Sequence, residues 1–169
     1  MIEVKTMDRT GRGKLSWVLS GLQFVLDNKN RRKHPAVVNM SLGSARSTVF
    51  NRAVEHLVGL GIPVIAAAGN SDASACRVSP ASASGVFVLG AFDDRTDSVA
   101  SFSNWGQCVD VFAPGVNVQS VSIRKDDIPV LYSGTSVSAP IGAGIVAYFM
   151  GMGDTGTGAV QRVSKNEYI

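Results

Sequence analysis

Charged residues are scarce in this chain, and so are long apolar runs. Of its 169 residues, 17% are charged and 7% are aromatic, and the net charge is only +3. A nucleic-acid surface is usually more basic, with aromatic side chains among the basic ones. No apolar run approaches the ~20 residues of a membrane span, and the start, MIEVKTMDRTGRGK, lacks the apolar core of a signal peptide. The sequence therefore predicts a soluble chain whose partner is neither a nucleic acid nor a membrane.

Cysteine and histidine are also rare, with two of each. Cys76 and Cys108 have no CxxC spacing and no pair of histidines nearby, which argues against a zinc site. They form either one disulfide or two free thiols. His34 follows a basic stretch, residues 29–33, which we interpret as a solvated loop. His56 lies on a predicted helix, so neither histidine has the setting of a catalytic base.

Short apolar runs alternate with longer amphipathic segments along the chain. This alternation is typical of a parallel β-sheet with helices on its faces, and the almost continuous apolarity of the runs indicates strands buried on both sides. The sequence predicts an α/β fold with a mostly parallel sheet, in one domain over residues 1–169 and with no second domain. The predicted strands are residues 2–7, 36–42, 63–68, 86–92 and 109–112.

Three segments have apolar residues at the three- and four-residue spacing of a helix. Residues 14–27 and 47–60 are amphipathic, and Ser47 or Thr48 can cap the second of them. The third segment follows Gly134. Because it is small and apolar all round, we expect a central buried helix. Two segments rich in Asp, Ser and Asn predict loops or hairpins, residues 93–106 and 122–130.

Two polar side chains lie where acyl-transfer chemistry would need them. Ser136 follows Gly134 at a helix start, where unpaired N–H groups and a partial positive charge favour an oxyanion. Pro140 lies within the first turn, where its missing N–H costs little. Asn70 ends a predicted strand at the edge where ligands collect in open parallel sheets, and its amide can donate to an oxyanion. Taken alone, such a serine or asparagine is more often a helix cap or a turn residue.

Three blocks, taken in chain order, resemble the subtilisin-like serine peptidases, most closely the proteinase K branch. They are SLG at 41–43, AAAGN at 66–70 and GTSVSAP at 134–140. The resemblance covers nearly the whole chain and implies the family's three-layer fold, with Ser136 as nucleophile and an oxyanion hole formed by its own N–H and the Asn70 amide. It also implies a cleft wall that pairs with the peptide backbone and a pocket for the residue before the cut. The wall is Ser41, Leu42 and Gly43, and the pocket is lined by Ala67, Ala68 and Gly69.

The family's catalytic Asp and the histidine of its HGTH-type helix start have no counterpart in this sequence. The turn from Asp8 to Gly11 has an inserted arginine and falls after the place of that helix, so we interpret it as an ordinary turn. We therefore predict a partial peptidase domain, incomplete at its N-terminus and nearly inactive as the isolated chain, because a serine without a base is a poor nucleophile. The strand that bears the family's Asp lies inside the sheet, so its absence would leave backbone unpaired.

The resemblance implies a secreted serine endopeptidase that hydrolyses polypeptides through an acyl-enzyme on Ser136. The alternative is a pseudoenzyme that binds extended peptides without cutting them. A domain that binds an unrelated small ligand lacks any GxGxxG or P-loop support. The implied partners are a polypeptide substrate and either the missing N-terminal segment or an inhibitory propeptide.

The resemblance also implies two structural features and no required cofactor. Cys76 and Cys108 match a pair that is bridged in some family members, which favours a disulfide and an oxidising compartment. Family members of the proteinase K type hold a structural calcium ion. Its ligands here would be the carbonyls of Ser84 and Val86 and the carboxylate of Asp110, since calcium prefers hard oxygen ligands. A further helix is implied at residues 155–163.

Overall fold

The computed structural model describes residues 1–122 and 128–165, which form helices on both sides of a mainly parallel sheet. The helices are α1 (Leu15–Arg32), α2 (Thr48–Gly59), α3 (Thr135–Gly151) and α4 (Gly156–Ser164). The strands are β1 (Val38–Met40), β2 (Ser44–Ala45), β3 (Val64–Ala67), β4 (Val78–Ser79), β5 (Phe87–Asp93), β6 (Ser98–Val99), β7 (Val111–Pro114), β8 (Val118–Ser120) and β9 (Val130–Tyr132).

The main sheet contains β1, β3, β5 and β7 as parallel neighbours in that order. β6 pairs antiparallel with the end of β5, and two short antiparallel pairs, β2 with β4 and β8 with β9, lie outside this sheet. Because the strands are parallel, their carboxyl ends meet at one edge. Residues 41–43, after β1, and 68–70, after β3, therefore lie at the same edge of the sheet.

Alternate strand residues pack into two separate apolar cores, one on each face of the sheet. Val64 and Ala66 of β3 lie in a core with α1 and α2, whereas Ile65 lies in a core with α3 and α4. Val88 and Leu89 of β5 divide between the two cores in the same way. The three layers of helices, sheet and helices confirm the predicted fold class.

Four of the five predicted strands are present, as β1, β3, β5 and β7, but the prediction for residues 2–7 is wrong. Within the described part of the chain this segment has no strand partner, and it lies against α1 instead. A Cβ built on Gly21 would lie 2.6 Å from Thr6 Cγ2 and 3.2 Å from Val4 Cγ1, so the glycine makes room for the segment. An alternating pattern does not make a strand by itself, because a strand needs a hydrogen-bonded neighbour.

Helix α1 extends beyond its predicted end at residue 27, so the interpretation of the basic stretch as a loop is wrong as far as Arg32. Basic side chains in the last turn of a helix interact favourably with the negative end of its dipole. The Lys29 ammonium also donates to the carbonyl of Leu60 at 2.8 Å. Lys33, with φ 54°, ends the helix and returns its N–H to the Lys29 carbonyl.

Helix α3 is not buried all round, contrary to expectation. Its inner face approaches the sheet closely because it is built from small residues: a Cβ on Gly142 would lie 2.6 Å from Leu89 Cδ2. Its outer face exposes Gly144, Ala147 and Tyr148. In the described ranges only α4 covers part of this outer layer, and α4 confirms the helix that the resemblance implied at 155–163.

The polar segments form the connections that their composition predicts. β6 folds back on β5 with Phe92 opposite Val99, as a hairpin at 93–106 requires. β8 and β9 form a second hairpin around residues 122–130, although residues 123–127 of that prediction lie outside the described residues. Over residues 1–122 and 128–165, no helix has both the length and the apolarity to cross a bilayer.

Candidate active site

The ends of β1 and β3 and the start of α3 are joined by side-chain hydrogen bonds at one edge of the sheet. The Ser41 hydroxyl, just after β1, donates to the Ser136 carbonyl at 2.7 Å. The Thr135 N–H, at the start of α3, donates to Asn70 Oδ1 at 2.8 Å. Three sequence blocks that are far apart in the chain are thus brought to one place.

Ser136 is the second residue of α3, and its side chain is exposed. The N–H groups of a first turn have no intrahelical carbonyl to pair with, so the Ser136 N–H is available to a ligand. Gly134 precedes the helix with φ 148°, a conformation that favours glycine. A Cβ built on Gly134 would lie 3.1 Å from Ser136 Oγ and 3.2 Å from Asn70 Nδ2. Both polar groups therefore border the small space that the missing side chain leaves open.

The Asn70 carboxamide has a defined orientation. Its Oδ1 accepts from the Thr135 N–H and from the Thr135 hydroxyl, both at 2.8 Å. Because a backbone N–H can only donate, the atom it contacts must be the amide oxygen. The Asn70 Nδ2 is thereby directed to the space beside Gly134, where it can donate to an anionic oxygen.

Ser41 completes a hydrogen bond that α3 cannot make for itself. Pro140 is the sixth residue of α3, not a member of its first turn as expected, and it has no N–H to donate to the carbonyl of Ser136. The Ser41 hydroxyl donates to that carbonyl instead, and it accepts from Asn39 Nδ2 at 3.1 Å. The end of β1 is therefore fixed to the residue that carries the candidate nucleophile.

The two segments assigned to the cleft lie on either side of this place. Residues 41–43 lead from β1 into β2, and Leu42 is half-buried while Ser41 and Gly43 are exposed. Ala67 and Ala68 are buried, and Gly69 adopts φ 104°. At 67–69 it is therefore the main chain, rather than the alanine methyl groups, that borders solvent at this edge.

Thr135 and Asn104 are functional candidates that the sequence reasoning missed. Thr135 is buried, and its hydroxyl accepts from the Gly69 N–H at 3.0 Å while donating to Asn70. Asn104 is fully buried in the loop before β7 and contacts the segment that carries Asn70. Their only sequence signal was membership of the blocks that resemble the family, which gave them no role.

The three residues implied as calcium ligands lie near the start of β5. Asp110 Oδ2 accepts from the Val88 N–H at 2.7 Å, and Ser84 and Val86 immediately precede the strand. Burial raises the pKa of the Asp110 carboxyl, and the Val88 hydrogen bond lowers it by less. A second carboxylate lies beside them, because Glu55 Oε1 accepts from the Ser84 N–H at 2.9 Å. Hard oxygen donors at this position fit a calcium ion.

Cys76 and Cys108 form a disulfide, with their Cα atoms 5.3 Å apart. The bridge joins the short 3-10 turn Ala75–Arg77 to the loop that leads into β7. The same two segments are also joined by main-chain hydrogen bonds between Ala73, Ala75 and Trp105. The prediction of a bridged pair is confirmed.

The two histidines lie away from Ser136. His56 is exposed on α2, which packs on the opposite face of the sheet from α3. His34 is exposed just beyond the end of α1, in that same layer. That neither acts as the base for Ser136 stays a prediction.

Comparison with known proteins assigns the chain to a family. Residues 1–162 match the subtilase family. The chain is 45% identical over 166 residues to Subtilisin-like protease 3 of Pseudogymnoascus destructans, a match that covers 97% of this chain. It is 45% identical over 157 residues, 90% of this chain, to Subtilase-type proteinase RRT12 of Saccharomyces cerevisiae. The crystal structure of a cold adapted subtilisin-like serine proteinase superposes with a TM-score of 0.85 at 36% identity, over 93% of this chain.

This chain belongs to the subtilase family. The resemblance to the subtilisin-like serine peptidases, and the fold that it implied, are thereby confirmed. The chain spans 41% of the Pseudogymnoascus protein, 32% of the Saccharomyces protein and 56% of the solved chain.

Proposed function

We propose that this chain carries the nucleophile and the oxyanion hole of a subtilisin-like serine endopeptidase. Ser136 Oγ attacks the carbonyl carbon of a peptide bond while its proton passes to a general base. The tetrahedral intermediate then collapses to an acyl-enzyme and releases the amine, and water hydrolyses the ester. In both steps the oxyanion accepts hydrogen bonds from the Ser136 N–H and from Asn70 Nδ2.

A single observation carries this proposal: Ser136 Oγ and the fixed Asn70 Nδ2 border one small space beside Gly134. A helix cap or a turn residue would not need an amide held in that direction. Donors that are positioned before the reaction stabilise the oxyanion without reorganising. Losing one such donor lowers turnover by ~10²–10³, a magnitude that was measured on a subtilisin, so it is not an independent expectation for this family.

The cleft is assigned to the two segments that flank Ser136. We assign the wall that pairs with a peptide backbone to Ser41, Leu42 and Gly43, because an extended peptide can add its main-chain hydrogen bonds to exposed backbone. We assign the pocket for the residue before the cut to Ala67, Ala68 and Gly69. The substrate is therefore an extended polypeptide.

The base that accepts the Ser136 proton is proposed to come from outside these 169 residues. The edge of β1 that faces away from β3 has no strand partner within the described ranges, and residues 2–7 lie extended on α1 without one. A strand of a further segment, or of a propeptide, would find unpaired N–H and C=O groups there. The proposed partner is a segment that adds the base, and the isolated chain is expected to be nearly inactive.

A pseudoenzyme that binds extended peptides is the second candidate. The positions of His34 and His56 favour it, because both are exposed in the layer on the other side of the sheet from Ser136. It requires the cleft but not the chemistry of Ser136. The two candidates therefore differ in one observable property, the covalent reactivity of the serine.

Fluorophosphonate labelling in imidazole buffer tests the proposal, since imidazole supplies the missing base from solution. We expect one adduct per chain by intact mass, none in Ser136→Ala, and retained labelling in the matched control Ser133→Ala, whose hydroxyl is exposed three residues earlier. A wild-type chain that binds a peptide but stays unlabelled would support the pseudoenzyme. Labelling that persists in Ser136→Ala would refute the nucleophile assignment.

We also propose a structural calcium ion held by the carbonyls of Ser84 and Val86 and the carboxylate of Asp110. The convergence of these oxygens at the start of β5 supports it. The ion would stabilise the fold, and the reaction requires no cofactor. The disulfide supports a secreted protein, since such bonds persist in oxidising compartments.

Calcium is expected to raise the thermal unfolding midpoint of the wild type. At a calcium concentration a hundred times the dissociation constant, binding adds about 2.7 kcal/mol, and at ~2–4 °C per kcal/mol for this size the shift is about 5–10 °C. Asp110→Asn keeps the acceptor for Val88 but removes the charge, so its midpoint should not respond. The control Asp94→Asn, at an exposed position, should respond like the wild type. Equal midpoints in calcium and in chelator for the wild type would exclude the site.

A further inference from the structure

The loop that carries Asn70 has no regular secondary structure to hold it. Residues 68–73 follow β3 and precede the 3-10 turn at Ala75–Arg77. The hydrogen bonds to Thr135 fix how the Asn70 carboxamide is oriented, but they act at the tip of its side chain. Where the Asn70 main chain lies depends on what holds the loop on either side of it.

Asn104 holds that loop by four hydrogen bonds on both sides of Asn70. Its main-chain N–H donates to the Gly69 carbonyl at 2.9 Å, and its Nδ2 donates to the Ala68 carbonyl at 2.8 Å. Its Oδ1 accepts from the N–H groups of Ser71 at 3.0 Å and Ala73 at 3.1 Å. The side chain thus satisfies three main-chain groups of a loop that has few other partners.

The position of Asn104 makes these bonds strict. The residue is fully buried, and an unsatisfied buried polar group costs about 1–3 kcal/mol. A Cβ built on Gly69, which adopts φ 104°, would overlap Asn104 Nδ2, so the glycine permits the close approach. The side chain therefore has one arrangement that satisfies it, and that arrangement fixes the main chain of Asn70.

We propose that Asn104 is a positioning residue for the oxyanion hole: it sets where Asn70 Nδ2 lies relative to Ser136. The proposal rests on the proposed function, in which Asn70 donates to the oxyanion. Asn104 itself does not contact the substrate. Its loss should lower the rate of reaction at Ser136 while leaving the affinity for a bound ligand unchanged, because the donor matters most in the transition state.

The test compares Asn104→Ala with a buried asparagine that lies far from the site. Asn51 is buried in the core with α1 and α2, where Nδ2 donates to Ser82 Oγ at 3.0 Å and Oδ1 accepts from Ser79 Oγ at 2.6 Å. Asn51→Ala should lower stability in a comparable way. We expect Asn104→Ala to lower the maximal fluorophosphonate labelling rate in imidazole at least tenfold at a half-saturating concentration close to that of the wild type. Asn51→Ala should keep the wild-type rate per folded molecule.

A conservative variant keeps the test decisive if Asn104→Ala does not fold. Asn104→Asp retains an acceptor for Ser71 and Ala73 and loses only the bond to Ala68, so it should recover most of the rate. Equal losses in the Asn104 and Asn51 variants, or no loss in a folded Asn104→Ala, would overturn the proposal.

The side-chain amide resonances of Asn70 separate this inference from the proposed function. In nitrogen-15 NMR spectra they should shift in the Asn104 variants and not in Asn51→Ala. If the wild type is never labelled, the proposed function fails, whereas the positioning of Asn70 is still decided by these resonances. Unchanged resonances in both Asn104 variants would contradict the positioning role.

Discussion

Gly134→Ala is expected to lower the maximal rate of fluorophosphonate labelling at Ser136 by at least ~10²-fold, as for the loss of an oxyanion donor. The new methyl group would lie 3.1 Å from Ser136 Oγ and 3.2 Å from Asn70 Nδ2, in the space where the oxyanion forms. In addition, φ 148° is a conformation that an L-residue rarely adopts, so the start of α3 must shift. Both effects separate the nucleophile from its donors.

Gly144→Ala is the matched control for that substitution. Gly144 lies in the same helix and is exposed, and a Cβ built on it would point into open space. Alanine there should stabilise the helix by roughly 0.5–1 kcal/mol and leave the labelling rate unchanged. A Gly134→Ala protein that is labelled within threefold of the wild-type rate would show that the space beside Gly134 is not used.

Removal of the disulfide is expected to have the largest effect on stability. The bridge between Cys76 and Cys108 closes a loop over 32 residues, for which the chain-entropy relation gives about 3.7 kcal/mol. For a chain of this size that corresponds to a fall of about 7–15 °C in the unfolding midpoint. Because domains are stable by only ~5–15 kcal/mol, the reduced chain should be partly unfolded at physiological temperature.

The comparison is between the wild type, with and without reductant, and the double variant Cys76→Ser, Cys108→Ser. The reduced wild type and the double variant should unfold at similar temperatures, and reductant should not affect the double variant. Alkylation without reductant should modify neither cysteine of the wild type. Midpoints that agree within about 2 °C across all samples, or ready alkylation of both cysteines, would contradict a stabilising bridge.

Local patterns in the sequence predict the elements whose stability is local. The apolar spacing locates α1, α2 and α4, and the buried runs locate four strands. The prediction for residues 2–7 is wrong because strand formation there depends on a neighbour that local sequence does not report. The predicted end of α1 is wrong because the charges of Lys29 and Arg32 indicate a solvated loop, whereas a helix also favours basic residues in its last turn.

The candidate site is predictable to the extent that a motif marks it. Ser136 and Asn70 are named from their blocks, and the structure brings them together at the edge of the sheet. Asn104 is not, because its role consists of bonds to the main chain of Ala68, Ser71 and Ala73, which are distant in sequence. Such long-range contacts to main-chain atoms leave no periodicity or composition to read.

The central claim is that Ser136 and Asn70 form one reactive centre, and a crystal structure of the fluorophosphonate-treated chain tests it most directly. The account predicts a phosphorus atom bonded to Ser136 Oγ, with one phosphonyl oxygen about 2.7–3.1 Å from both Asn70 Nδ2 and the Ser136 main-chain nitrogen. An adduct on another residue would contradict the account. So would a phosphonyl oxygen that points into solvent, away from Asn70.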